Sequence, residues 1–465
     1  MKKRLFLCVL FVCLFLFTAC GNQEQSAPTA DGTMADAAAG PRYGGTLIVA
    51  SKLEANNWNT NYVWDAAGPY QSFNVFSKLF NYRFATQEIY PDLALDWACT
   101  EDLTTYTIHL RDDVKWHDGE PFTSADVKWT IDDIISRGTE AQAYKVLQSV
   151  ASCEAPDDYT IVLHLKEPNA IMINNLASYN GFLILPEHLY AGTDPLTNEA
   201  NFKPVGTGPF EFVEYVAGSH CILKAYEDYH GVGPYLDQVI YKFIPDETTA
   251  MIALENQEVG YMTASPAFGE IERLTALDQI AVDMSSSNIV TWMGINARRD
   301  YVSHPQVRLA IATAIDREYI ANVLYQGLVK PAESYYTTVI DWADNQDVRQ
   351  PVYDVDEANR LLDEAGYPRG ADGIRFGLTF RVFPPSIWGF QETATLIKQF
   401  LHDVGIQVNI EEYEFALRTE MTLQNQDWDL TSAGAYRGPD PSEYYAHVGT
   451  GGGSNLMQYS NPRVD

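Results

Sequence analysis

The chain has 465 residues, 46% of them hydrophobic and 20% charged. That composition excludes a disordered polypeptide, and the length is enough for two to four compact units. Lys and Arg total 31 against 62 Asp and Glu, for a net charge of −31, which excludes wrapping of nucleic acid and charge-driven adhesion to anionic lipid.

Lys2, Lys3 and Arg4 precede a wholly apolar run from Leu5 to Phe17, and Thr18, Ala19 and Cys20 follow. The run has 13 residues, too few to span a bilayer as a helix, so it reads as an export signal. Small residues just before a cysteine resemble a lipobox, in which Cys20 is lipidated and becomes the new N-terminus. Phe17 stands where such boxes usually carry Leu, and the bland alternative is a plain signal peptide with an incidental cysteine. Two acyl chains anchor a protein stably where one does not. Residues 20–42 are rich in Ala, Gly, Gln, Ser and Thr without an apolar period, as expected of a flexible tether. Loss of residues 1–19 removes three cations and no acid, moving the net charge from −31 to −34. Cys99, Cys153 and Cys221 remain in the body, allow at most one disulfide, lack CxxC spacing and are expected to be buried structural thiols.

Thr105 to Leu110 alternates, with Tyr106, Ile108 and Leu110 on one face, and Asp118-Gly119 marks a turn. Thr123 followed by Asp126 reads as a capping box opening a helix whose inner face carries Val127, Ile131, Ile134 and Ile135, closed by Gly138. Ile161, Leu163 and Leu165 repeat the strand pattern. Asp354 and Glu357 cap a helix with Ala358, Leu361, Leu362 and Ala365 inward, ended by Gly366. Ile374, Phe376, Leu378, Phe380 and Val382 alternate as a strand, Glu392 to Val404 is helical, and Ile406, Val408 and Ile410 alternate again. Strand, helix, strand at this spacing predicts a βαβ crossover with a parallel pair, joined by a third strand near Leu430 to Ala435. Open α/β sheets bind ligands beyond the carboxyl ends of their strands. Those ends feed residues 383–388 and 436–440, which carry aromatic and polar groups suited to a binding cleft.

Catalytic signatures are missing. No HExxH, HxxxH or GxSxG occurs, and the glycine-rich residues 449–454 lack the GK[ST] ending of a phosphate cradle. No cofactor or metal is implied, and a hydrolase built on a carboxylate pair is the only enzymatic alternative the sequence leaves.

Several stretches together resemble the extracytoplasmic solute-binding proteins of ABC importers, in the family with oligopeptide-, dipeptide- and nickel-binding members. The most specific is residues 110–127, LRDDVKWHDGEPFTSADV, supported by PVGTGP at 204–209, YHGVGPYLD at 229–237 and VRLAIATAIDR at 307–317. Residues 361–368, 404–408 and 427–440 also fit, and the likeness runs from Gly44 to Asp465. Most of these signature residues read as scaffold. Gly206 and Gly208 suit positive φ, and Arg308 suits an internal ion pair.

The resemblance implies an α/β, two-lobed periplasmic-binding-protein fold without enzymatic activity. Residues 43–85 and 203–287 would form the hinge-bearing part of lobe 1, 86–202 its extra subdomain, and 288–465 an incomplete lobe 2. In the family, a segment like residues 455–465 leads into a further helix and a return to the first lobe, so the chain is expected to be a truncated reading of a longer gene. A monomer closing on peptide, oligosaccharide or a metal chelate, and presenting the closed form to permease subunits at the outer face of the membrane or in the periplasm, is the implied mechanism. In peptide-binding relatives an aspartate shortly before the Asp-Pro pair meets the peptide ammonium. Here Arg437 stands at that place, and a guanidinium favours a carboxylate, phosphate or chelate. Asp440 could take the ammonium if the loop is registered differently, and Arg437 pairing with a nearby acid stays open. Trp58, Trp388 and Tyr436 could stack on sugar faces or wall side-chain pockets, with Ser386 beside them.

Overall fold

The computed structural model describes residues 40–465, except 56, 64–67, 84–85, 87, 179–181, 264–265, 285–288, 335–341, 344, 346, 384–388, 414–416, 418–419, 423–425, 437–443 and 453–454. Strand β1 (Thr46–Ser51) is followed by the hairpin β2 (Phe80–Arg83) and β3 (Glu88–Pro91). Next come β4 (Ala94–Cys99), β5 (Thr105–Leu110), β6 (Val150–Asp157) and β7 (Thr160–Leu165). Then follow β8 (Phe210–Val216), β9 (His220–Ala225), β10 (Gln238–Phe243) and β11 (Tyr261–Met262). Strands β12 (Ile289–Ile295), β13 (Phe376–Val382), β14 (Ile406–Glu412) and β15 (Leu430–Tyr436) complete the order.

These strands build two halves. In the first, a five-stranded sheet has the order β11-β1-β10-β9-β8, and β1 runs parallel to β10 from Thr46↔Gln238 to Ser51↔Phe243. The antiparallel sheet β4-β5-β7-β6 is inserted in sequence between β1 and β8. One hydrophobic core runs through both sheets and includes Val49, Leu79, Ile108, Leu163, Leu223 and Tyr241. In the second half the sheet order is β12-β15-β13-β14. Its separate core joins Leu378, Phe380 and Val408 to Val307, Leu361, Ile397 and Leu401 from the helices. Burying each such side chain contributes roughly 1.5–3 kcal/mol before the entropy of ordering is charged against it.

The local patterns predicted from sequence reappear with small changes of boundary. Thr123 and Asp126 form the capping box of the helix Ser124–Arg137, whose C-cap Gly138 has φ 57°. Asp354 accepts the Glu357 N–H at the start of the helix Val355–Glu364. β13 begins at Phe376 rather than Ile374, and the following helix spans Phe390–Asp403. β13 and β14 pair in parallel from Phe376↔Ile406 to Val382↔Glu412, which is the predicted crossover.

Tertiary contacts correct three expectations. Neither Gly206 nor Gly208 adopts positive φ. A Cβ on Gly206 would stand 1.9 Å from the Val75 carbonyl oxygen, and one on Gly208 2.7 Å from that of Asn74. Close backbone approach to the helix Gly68–Val75 is what requires them. Arg308 donates to the Val302 and Ser303 carbonyls at 2.9 and 2.7 Å, tying down a turn instead of forming the expected ion pair. Cys99 is exposed on the edge strand β4, whereas Cys153 and Cys221 are buried, and all three thiols are free.

The specific stretch at residues 110–127 is a structural knot. The Gly206 N–H donates to His117 Nδ1 at 3.2 Å, so Nε2 carries the proton it donates to the Gly208 carbonyl at 3.0 Å. Burial holds the His117 imidazole below its usual pKa, consistent with a neutral ring. Fully buried Trp116 donates through Nε1 to Asp126 Oδ2 at 3.3 Å. Asp126 also accepts the Thr123 and Glu187 N–H groups, both at 2.9 Å. The motif thus joins the inserted sheet to the loop entering β8.

Candidate functional site

In the second sheet β13 and β15 run in the same direction, so both release the chain on one side of it. β15 pairs in parallel with β13 at Phe380↔Leu430 and Arg381↔Thr431, and antiparallel with β12 along its whole length. Thr431 Oγ1 donates to the Arg381 carbonyl at 3.0 Å, and the Phe383 N–H donates to Ser432 Oγ at 3.4 Å. The chain therefore leaves β13 at Phe383, level with Ser432, and leaves β15 further along at Tyr436, the two exits forming a common, staggered edge on one side of the sheet. Tyr436 pairs with Ile289, the first residue of β12, beside the crossing from the first half.

Aromatic side chains line this edge. Phe383 is buried and stacks on Phe390 with ring centroids 5.6 Å apart. Gly389, at φ 65°, turns the chain into the Phe390–Asp403 helix, and a Cβ there would lie 3.3 Å from Tyr325 Oη. Tyr325 Oη lies 3.3 Å from Thr393 Oγ1, and its ring meets Phe268 of the first half edge-on at 4.9 Å.

Beneath the edge lies a charged network that the sequence reading missed. Arg381, 6% exposed, reaches Glu411 at 3.4 Å and Asp427 at 3.5 Å, with its guanidinium 5.5 Å from the Tyr413 ring centroid. Asp427 and Asp429 both hold Arg299, at 3.2 and 3.0 Å, and Asp429 accepts the Thr379 N–H at 2.8 Å. The hydrogen bond to Glu411 holds the Tyr413 hydroxyl above its usual pKa. Among the described residues the buried Nη1 of Arg381 has no hydrogen-bond partner. The signal was available: Arg381 stands between Phe380 and Val382, so alternation puts it on the face opposite the core. Chemically the network neutralises charge and braces the strand ends; it offers no nucleophile paired with a base.

The residues singled out from sequence are placed unequally. Tyr436 closes β15 at the common edge. Trp58 belongs instead to the first core, 1% exposed and edge-on to Phe212 at 5.7 Å, with no ring face open for a sugar to stack on. Its backbone N–H donates to the Asn201 carbonyl at 2.9 Å and its backbone carbonyl accepts from Ser72 Oγ at 2.9 Å. Ser386, Trp388, Arg437, Asp440 and Cys20 lie outside the described residues. Among the described residues no group of His, Cys, Asp and Glu could hold a metal ion, and no helix is long and apolar enough to cross a membrane.

The family model for bacterial extracellular solute-binding proteins, family 5, matches residues 88–455. The chain belongs to that family. Members are solute-binding proteins of ABC importers that act outside the cytoplasm, and they are not enzymes, so the carboxylate-pair hydrolase is set aside. The oligopeptide-binding protein AppA of Bacillus subtilis is 28% identical over 495 residues, covering 100% of this chain and 87% of AppA. The dipeptide-binding protein of Escherichia coli is 25% identical over 426 residues, covering 86% and 78% of the two chains. Among solved structures, the periplasmic binding protein DppA from Helicobacter pylori, in complex with the peptide STSA, superposes with a TM-score of 0.76. It is 28% identical, covering 91% of this chain and 85% of DppA. The fold is therefore the mixed α/β architecture of the periplasmic binding proteins, as the resemblance implied.

Proposed function

We propose that this protein captures peptides for an ABC importer by closing two lobes over them, while lipid on Cys20 holds it at the outer face of the membrane. Residues 43–85 and 203–287 form the hinge-bearing part of the first lobe, 86–202 its extra subdomain, and 288–465 belong to the second lobe. The common edge of β13 and β15 carries this reading. Both strands release their loops on one side of the sheet, where α/β sheets receive ligands. Peptide as the solute is supported by the oligopeptide, the dipeptide and the bound STSA in the names of the relatives. Tyr436 walls the cleft, Ser386 and Trp388 contribute from the loop after β13, and Arg437 or Asp440 meets a charged end of the peptide. Closing buries solute against both lobes and so favours the closed form that the permease recognises.

Native mass spectrometry of the protein purified without refolding tests the solute. Peptide masses released on denaturation are expected; sugars, a metal chelate or turnover of an added peptide would refute the reading. Metabolic labelling with a clickable fatty acid tests the anchor, and label that persists in Cys20→Ser would refute it.

A further inference from the structure

We propose that Phe268 and Tyr325 form a latch between the two halves that sets how much of the protein is closed before solute arrives. The inference rests on the two-lobed closing reading above. Each ring sits on an element anchored in its own half. Phe268 opens the helix Phe268–Thr275, which is tied to the helix Glu247–Glu255 by Arg273, whose guanidinium lies 2.8 Å from Glu255. Leu274, on the same helix, is buried. Tyr325 caps the helix Arg317–Leu324, which packs against Phe390–Asp403 through Tyr319 and Phe400, with ring centroids 5.8 Å apart. Its hydroxyl lies 3.3 Å from Thr393 Oγ1.

Among the described residues the large cores of the two halves share no member, and neither ring is fully buried. The rings nevertheless meet at 83°, edge to face, the geometry that the charge distribution of aromatic rings favours. A second contact lies alongside, where a Cβ on Gly269 would be 3.6 Å from Gln326 Nε2. Tyr325 also stands over Gly389, next to the loop that leaves β13, so the latch sits at the edge where solute is received. Such a pair is worth about 1 kcal/mol, which converts to about a fivefold change in the ratio of open to closed protein. Apparent affinity for solute then follows the closed fraction, with no contact between either ring and the solute required.

The test is a distance measurement on solute-free protein. Labels go on Cys99 and on Lys398→Cys, both exposed and in different halves, in the full chain carrying Cys8→Ser, Cys13→Ser and Cys20→Ser. Single-molecule energy transfer is expected to show closed and open populations in the wild type. Phe268→Ala and Tyr325→Ala should each raise the open-to-closed ratio about fivefold, with the double variant no further than either single one. Tyr325→Phe, which keeps the ring but loses the contact with Thr393, should raise the ratio less than Tyr325→Ala. Unchanged distributions in both alanine variants at an unaltered thermal midpoint would overturn the latch, as would singles whose effects simply add. A tryptic digest of casein added to wild type separates the two ideas. No change in its distribution would sink the peptide-closing reading, whereas the latch stands or falls on the solute-free variants.

Discussion

Lys78 is a buried cation whose ionisation should be visible in the stability of the whole protein. It is 7% exposed, and its ammonium donates to the Ala177 and Ser178 carbonyls, both at 3.3 Å, while lying 5.2 Å from the Phe73 ring centroid. Burial pulls its pKa down to about 8 from the ordinary 10.5, with Asp92 opposing. That gap corresponds to about 3 kcal/mol of differential stability. Its sign follows from proton binding. Between about pH 8 and 10.5 the unfolded chain holds a proton that the folded chain has released, so stability from this group rises with pH across that window. Below pH 8 both states hold the proton and the contribution is flat, at its least favourable. Lys78→Met removes the titration and the desolvation cost but leaves two carbonyls unpaired, each loss costing about 1 kcal/mol or more. Near pH 7 the two proteins should therefore differ by only about 1 kcal/mol, because these effects oppose each other. By pH 10 the wild type should have gained about 2–3 kcal/mol on the variant. Urea titrations followed by tryptophan fluorescence at several pH values measure this difference, and other titrating groups cancel in it. Parallel stability curves from pH 7 to 10 would refute the reasoning.

Three further outcomes are expected. Cys99 should react with a maleimide in the native protein, whereas Cys153 and Cys221, whose thiols burial pushes up to about 12, should react only in denaturant, as intact-mass spectrometry can count. Gly206→Ala should destabilise by about 3 kcal/mol or more because its Cβ would meet the Val75 carbonyl at 1.9 Å. Gly218→Ala, at φ 68° with open space around it, should lose only about 1–2 kcal/mol, and comparable thermal midpoints for these two variants would contradict the packing argument. Asp126→Ala removes the acceptor for Thr123 N–H, Glu187 N–H and Trp116 Nε1 and should cost about 3 kcal/mol in urea unfolding, with Asp126→Asn losing less.

The helices capped by Thr123 and Asp354 and the strands on either side of the Phe390–Asp403 helix were legible because their causes are local. Capping spans four residues, and side-chain alternation repeats every two. The same locality exposed the direction of β13 and β14, which the crossover between them fixes, whereas the parallel pairing of β15 with β13 joins segments far apart in the chain. The features that escaped depend on partners far along the chain. Trp58 read as a candidate stacking ring because nothing nearby in sequence reveals that Phe212 and Asn201 enclose it. Gly206 and Gly208 looked like conformational glycines, whereas Val75 and Asn74 make them spatial ones.

The acidic balance argued against nucleic-acid wrapping and charge-driven lipid adhesion before any fold was known, and the ordered motifs pointed to the family. Both follow from residue identity alone. Which groups stand in the dark and which in water was decided by assembly: a parallel strand pair joins Thr46 to Gln238, and an edge strand leaves Cys99 exposed. Desolvation depends on every neighbour at once, so the lowered pKa of Lys78 and the meeting of Phe268 with Tyr325 belong to the tertiary structure only.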